Sequence, residues 1–285
     1  MSKPAASFDA GRFKAQERAG FNRIAERYAQ SAHLRADLAH ALLNAAQLQP
    51  GQRVLDLASG PGLLASAAAL QVAPDGHVLA TDIAEAMLAE GARRCAGLAA
   101  APLFATADAE QLCLADASMD RVLAGLALFI FPHPERALAE ITRVLAPGGQ
   151  LVLSVWGRRE EVPLISCAQD CIARMLPPPK VQRPSVFRYG DAAELESTLA
   201  AAGLVDIEIR ACDFSCPFED AEAYWQGFLD LAGGVAEALA RLPAATQDAL
   251  RAAVADDLQQ FRAPPGEAGY RLPARTLIAV ARRPT

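Results

Sequence analysis

Three carboxylates and two glycines stand at spacings that suit the binding of a polar, nucleotide-sized ligand. Val54-Leu55-Asp56-Leu57-Ala58-Ser59-Gly60-Pro61-Gly62 reads as an apolar strand ending in an acid, followed by a sharp turn of small residues. A second strand, Val78 to Thr81, again ends in an acid, Asp82, and Asp108 follows a third short strand. Strand, glycine-bearing turn, helix and acid-tipped strand make the front half of a nucleotide-type binding unit. Only glycine or another small residue lets the backbone of such a turn approach a ligand closely. Alone, a Gly-Pro-Gly is a turn and a strand-end acid is a solvated cap. The signal lies in their order after consecutive strands.

The elements that must position these groups alternate along the chain. Residues 8–48 carry helical apolar spacing (Phe13, Phe21, Ile24, Tyr28, then Leu34, Leu38, Leu42, Leu43), and Pro50-Gly51 stops them. Strands are predicted at Val54–Leu57, His77–Thr81, Pro102–Thr106, Arg121–Ala124 and Gln150–Trp156, with helices at Leu63–Leu70, Ala84–Leu98 and Pro134–Leu145 between them. Pro147-Gly148-Gly149 is read as the helix stop before the fifth strand. Such alternation implies a parallel sheet covered by helices. Beyond it, Asp191–Ala202 reads as a helix closed by Gly203, Leu204–Arg210 as a sixth strand and Thr276–Ala281 as the last. Residues 217–265 are mostly helical and Ala-rich, flanked by Pro217 and Pro264-Pro265-Gly266. Residues 157–190, with Pro177-Pro178-Pro179, and 217–270 look like insertions over the carboxyl ends of the strands.

From Val54 to Trp156 the order of motifs resembles the S-adenosylmethionine (SAM) site of class I methyltransferases. Val54–Gly62 is similar to the first motif, Ala80-Thr81-Asp82-Ile83 to the acidic second, and Thr106-Ala107-Asp108-Ala109-Glu110 to the third. Ser118-Met119-Asp120-Arg121-Val122 resembles the fourth strand, and Arg143-Val144-Leu145-Ala146-Pro147-Gly148-Gly149 the passage into strand five. The nearest resemblance is to the group that includes ubiquinone/menaquinone-biosynthesis and many small-molecule methyltransferases. It implies an α/β fold: a Rossmann-like, seven-stranded, mostly parallel sheet with helices on both faces. N-terminal helices (1–50) would cover the cofactor, 51–216 with 271–285 would bind it, and a helical cap (217–270, with 157–190) would form the substrate pocket.

The resemblance also implies roles. Gly60 and Gly62 would line the methionine portion of SAM and Asp56 would face its ammonium. Asp82 would accept both ribose hydroxyls, and Ile83 would pack beside the adenine. Asp108 would accept from the adenine amino group while the Ala109 amide donates to the ring. Tyr28, Ala58, Ser59, Met87 and Leu126 complete the expected cofactor-binding set, with Tyr28 closing the site or bonding the methionine carboxylate. The family often has glycine where this chain has Ala58, so the backbone angle there is in question. Because SAM carries an activated methyl group, the protein mainly supplies alignment and desolvation. A general base is needed only for a protonated nucleophile. The candidates are His133 and His33, against the plainer reading of each as a solvated histidine.

Bulk properties narrow the function classes. The chain has 285 residues, 52% apolar and 21% charged, which supports a large core and argues against global disorder. A net charge of −6 argues against a nucleic-acid partner held by phosphate contacts. Met1 to Arg12 has no apolar run of the secretory kind, and Val122–Phe131 spans roughly half a bilayer, so a cytoplasmic protein without a membrane partner is expected. The Cys167/Cys171 and Cys212/Cys216 spacings are read as ordinary reduced thiols, and no metal is expected. Gly60-Pro-Gly62-Leu-Leu-Ala65 nominally fits a nicotinamide-dinucleotide turn, but Asp56 would repel an anionic pyrophosphate there. An oxidoreductase and a non-catalytic SAM-binding protein stand as alternatives. The aromatic residues Trp156, Phe187, Tyr189, Phe214, Phe218, Tyr224, Trp225 and Phe228, with Arg158, Arg159, Arg183 and Arg188, are candidate acceptor contacts. Quinone precursors, phenols and amines remain open as acceptors, to be methylated on N, O or C.

Overall fold

A computed structural model describes residues 8–178, 183–264 and 266–285. Pro179 and Pro265, which belong to the two expected proline breaks, and Met1–Ser7 lie outside them. Seven strands form one sheet: β1 (Arg53–Leu57), β2 (His77–Asp82), β3 (Leu103–Thr106), β4 (Met119–Gly125), β5 (Leu145–Trp156), β6 (Val205–Phe218) and β7 (Tyr270–Arg282). Their spatial order is β3-β2-β1-β4-β5-β7-β6, and only β7 runs against its neighbours. The order reverses between β1 and β4, which opens a crevice at the carboxyl ends of the strands. Asp56 pairs in register with Ala80, and Leu57 with Thr81, so the acid-tipped ends of β1 and β2 lie side by side.

The pleat divides the core. Val54 packs with Leu38, Leu42 and Leu64 on one face, whereas Leu55 and Leu57 pack with Leu138 and Ile141 on the other. Alternate residues of one strand therefore feed two cores, as a period of two requires. Helices α2 (Ala36–Ala46) and α3 (Leu63–Val72) cover the first face, and α5 (Pro134–Val144) covers the second. Helix α4 (Glu85–Cys95) follows β2. No helix among the described residues is long and apolar enough to cross a membrane.

Several boundaries differ from the sequence expectation. Pro147-Gly148-Gly149 does not stand outside strand five. β5 starts at Leu145, opposite Met119, and Gly148, at φ +73°, donates to Arg283 O at 3.0 Å. The ladder with β7 draws this turn into the sheet. β6 and β7 also run several residues past the predicted spans, because each completes the other's hydrogen bonds from Val205↔Arg282 to Phe218↔Tyr270. At the tip of this long hairpin sit α8 (Ala221–Leu231), α9 (Gly233–Leu239) and α10 (Ala244–Asp257). Helices α6 (Pro163–Met175) and α7 (Ala192–Ala201) fill the stretch between β5 and β6.

The N-terminal helix α1 (Ala10–Gln30) is capped by Asp9, which accepts from the Arg12 amide at 2.9 Å. It lies across the crevice and against α9. Gly20 makes this crossing possible: a Cβ there would sit 2.6 Å from Gly233 C. Residues Ser31–Arg35 form a short 3-10 turn that leads into α2.

Candidate functional site

The carboxyl edge of the sheet holds three adjoining cavities. The first, about 110 Å³, is bordered by Ala58, Gly60, Asp82, Ile83, Met87, Asp108 and Ala109. The second, about 60 Å³, is bordered by Asp56, Ser59, Pro61 and Arg35. The third and largest, about 320 Å³, lies between α1, α9 and the loop carrying Arg183. Tyr28 and Leu126 border all three.

Backbone conformation shapes the junction. Ala58 takes φ +53°, the left-handed conformation that a glycine adopts at no cost, so the alanine keeps the glycine-like angle. Leu126, at the exit of β4, takes φ +51°, and its amide donates to Ser154 Oγ at 3.0 Å. Two left-handed non-glycine residues thus meet at this cleft, the kind of local strain that clusters at ligand sites. Gly60 lies under the Tyr28 ring, with room for a Cβ only at 3.4 Å from Cε1. Gly62 borders none of these three cavities. It takes φ +77° and faces the Phe104 ring, so it shapes the turn from beneath.

Each carboxylate has its own environment. Asp56 is 1% exposed, and neither of its oxygens has a hydrogen-bond partner of full geometry among the described residues. Burial pushes its carboxyl up to about 8; the Ala65 amide pulls the other way, and the Asp82 charge adds to the rise. Asp82 accepts from the Gly60 amide at 2.9 Å and the Ala84 amide at 2.8 Å, which fixes both of its oxygens. Asp108 Oδ1 accepts from the Glu110 amide at 3.0 Å, and Oδ2 from Lys14 Nζ at 2.7 Å. The Asp108 carboxylate, expected to serve an adenine amino group, is thus shared with a cation from α1.

Both predicted bases fall outside the cavities. His133 precedes α5, and its Nδ1 lies 3.5 Å from Glu135. The exposed His33 keeps its Nδ1 3.4 Å from Gln30 O. In each case the helix start, rather than the crevice, sets the direction of the ring. Of the predicted aromatic wall, only Trp156 and Phe228 border the large cavity. Tyr224 is fully buried between Leu164 O and the Ala168 amide, and Phe218 packs edge-on against it. Arg159 and Arg183 border the cavity, whereas Arg158 pairs with Asp191 and Arg188 donates to Phe131 O. The cysteines are unpaired, and no cluster of three metal-type side chains occurs among the described residues.

Three functional candidates escaped the sequence reading. Arg35 is 7% exposed, stacks over the Tyr28 ring at 3.9 Å, and donates to Tyr28 O at 2.8 Å. It forms no ion pair with a carboxylate among the described residues. Lys14 and Glu17 border the first cavity, and Glu17 also borders the third. A signal was present: Glu17 falls midway between Phe13 and Phe21 at four-residue spacing, a charge on an apolar helical stripe.

Comparison with known proteins agrees with this geometry. Residues 55–153 match the family described as "Methyltransferase domain". The chain is 38% identical over 143 residues to the ubiquinone/menaquinone biosynthesis C-methyltransferase UbiE of Bordetella parapertussis, covering 48% of this chain and 55% of that protein. The chain thus spans about half the length of the first such relatives. With the UbiE protein of Cupriavidus necator it shares 31% identity over 211 residues, 68% of this chain and 87% of that one. In fold, it is similar to the Bacillus halodurans protein BH2331, with a TM-score of 0.58, 20% identity, and coverage of 87% of this chain and 99% of that one. Carboxylate-tipped strands, the glycine turn and 31% identity over 87% of a UbiE protein lead to one assignment: the chain belongs to the class I S-adenosylmethionine-dependent methyltransferases, in the UbiE-like group.

Proposed function

We propose that this chain binds SAM across the first two cavities and moves its methyl group to a small, ring-bearing hydroxyl compound held in the third. The observation that carries this reading is Asp56, a buried acid neither of whose oxygens has a hydrogen bond of full geometry among the described residues, in a cavity that also holds Arg35. An uncompensated buried acid is costly unless a cation meets it. The α-amino-acid end of SAM supplies that cation to Asp56 and presents its carboxylate to Arg35. An anionic pyrophosphate would meet Asp56 with the wrong sign, which disfavours a dinucleotide.

At the other end, the two fixed oxygens of Asp82 keep lone pairs for ribose hydroxyls. Met87 and Ile83 border the same cavity and offer the adenine an apolar bed. SAM supplies the activated methyl group, so the chain's own work is alignment and the exclusion of water. Phe13, Phe21, Trp156 and Phe228 border the third cavity and suit an apolar ring. A quinol acceptor fits that lining and matches the naming of the relatives, so a reduced naphthoquinone is the first compound to try.

The test is incubation with isotope-labelled SAM and 1,4-dihydroxynaphthalene under reducing conditions, with calorimetric titration of SAM in parallel. A product one methyl group heavier is expected. Absence of SAM binding would refute the cofactor reading, and binding without transfer to any ring hydroxyl compound would refute the acceptor class.

A further inference from the structure

Among the described residues, Glu17 is the one acid that borders both the first cavity and the large cavity. It is 8% exposed, and its Oε1 is ion-paired to Arg183 Nη1 at 2.7 Å. Its Oε2 makes no hydrogen bond among the described residues. The pair is built into the helix crossing. Gly20 lets α1 and α9 touch backbone to backbone, and a Cβ on Gly234 would collide with both the Arg183 guanidinium and Glu17 Oε1. The glycines at these positions leave the room that the ion pair occupies.

Resting on the methyl-transfer reading above, we propose that Glu17 takes the proton from the acceptor's nucleophilic group, with Arg183 holding the carboxylate at the opening between the two cavities. The acceptor O–H proton passes to Glu17 Oε2, the electron pair so freed shifts through the ring, and the ring carbon beside that oxygen forms the bond to the methyl carbon. The proton on that carbon then returns to the oxygen through water, restoring the hydroxyl. The broken carbon–sulfur bond leaves its pair on sulfur. A sulfonium and a carboxylate are consumed, a thioether and a carboxylic acid remain, and the acid then returns its proton to water.

Neighbouring charges support the assignment. Lys14 is engaged with Asp108 and Glu110, Arg159 with Asp170, and Glu237 of α9 with Arg23 and Arg241. Glu85 of α4 pairs with Arg18, Asp230 of α8 pairs with Arg27, and Arg35 donates to Tyr28 O. Asp82 is held by backbone amides. Arg183 is therefore the charge that governs Glu17. Burial holds the Glu17 carboxyl above its usual range, and Arg183 pulls it back in part, which moves it toward the pH at which a base is useful.

The experiment uses the protein loaded with S-adenosylhomocysteine and titrated with 4-nitrophenol, whose absorbance reports its ionisation. In the wild type the Glu17 carboxylate opposes the phenolate, so the bound probe stays protonated. Glu17→Gln leaves Arg183 unpaired, and the bound probe is expected to ionise at a pH lower by about one unit or more. Glu17→Asp should retain the wild-type behaviour. In turnover with 1,4-dihydroxynaphthalene, Glu17→Gln should lower kcat by about a hundredfold or more. It should also abolish the acid-side limb of the pH profile, with SAM affinity unchanged. Arg183→Gln should move that limb to higher pH. Unchanged probe ionisation in Glu17→Gln, or a kcat within about threefold of wild type, overturns the proposal. So does a wild-type protein that binds SAM yet neither binds the phenol nor methylates the diol. Failure to bind SAM at all is a separate result, and it overturns the methyl-transfer reading together with this one.

Discussion

Lys14 Nζ lies 2.7 Å from Asp108 Oδ2 and 2.7 Å from Glu110 Oε2, so one ammonium ties α1 to the loop after β3. Glu110 also accepts the His133 amide through Oε1 at 2.8 Å, which links this tie to the start of α5. Helix α1 is therefore latched at the corner of the first cavity proposed to hold the adenine. Both carboxylates draw the ammonium pKa upward against the effect of burial, so the latch stays charged throughout the neutral range.

Replacing Lys14 with Met should release that corner. A charge-assisted, partly buried hydrogen bond is worth about 1.5–3 kcal/mol. S-adenosylhomocysteine should leave about tenfold faster, equivalent to ~1.4 kcal/mol. Stopped-flow displacement measures the rate, and a rate equal to wild type would show that α1 does not gate release.

Asp82→Ala removes the acceptor proposed for the ribose and frees the Gly60 and Ala84 amides. SAM affinity should fall by about tenfold to a hundredfold, or ~1.4–3 kcal/mol. The circular dichroism of the apo-protein should hold, because the strand pairing of β2 does not use this side chain. Calorimetry reads the affinity.

Asp56 links cofactor binding to protons. Its carboxyl stands at about 8 in the free protein, against 3.8 ordinarily. Near neutral pH it is therefore protonated, and the ammonium of bound SAM should ionise it. Up to about one proton should leave per SAM bound. Calorimetry in buffers of different ionisation heat counts that proton, and Asp56→Asn should abolish its release while weakening SAM.

The same shift sets a stability slope. The folded-state pKa lies above the unfolded one, so between them the folded chain carries a proton that the unfolded chain has lost. The Asp56 contribution is then fully present below the unfolded pKa and is lost as pH rises through the folded pKa. The decline approaches ~1.4 kcal/mol per pH unit. Urea midpoints of the free protein should fall from about pH 5 to about pH 8, and Asp56→Asn should flatten that fall.

Gly20→Val tests the helix crossing that frames the large cavity. A branched side chain there meets the backbone of Gly233 and Gly234. Overpacking of this kind costs about 1–3 kcal/mol. Thermal unfolding should show the loss, and binding of 4-nitrophenol should weaken more than binding of SAM.

Local order in the chain determined the first half of the sheet. Strands β1, β2 and β4, the turn at Gly60, and the acids Asp56, Asp82 and Asp108 were legible because apolar runs, small residues and strand-end carboxylates carry their meaning within about ten residues. The range of β5 to β7 was not, because a strand's length is set by its partner, and Val205↔Arg282 joins residues far apart in sequence. Only part of the acceptor side was legible: Trp156, Phe228, Arg159 and Arg183 stand among the expected contacts, whereas Glu17 was hidden for the same reason. Glu17 and Arg35 look like ordinary helix charges until distant segments pack over them and remove them from water. Burial and proximity gave those side chains their chemistry, and both arise only when distant segments pack together. The two histidines show the converse: residue type suggested bases, but the helix starts that hold them direct them outside the crevice.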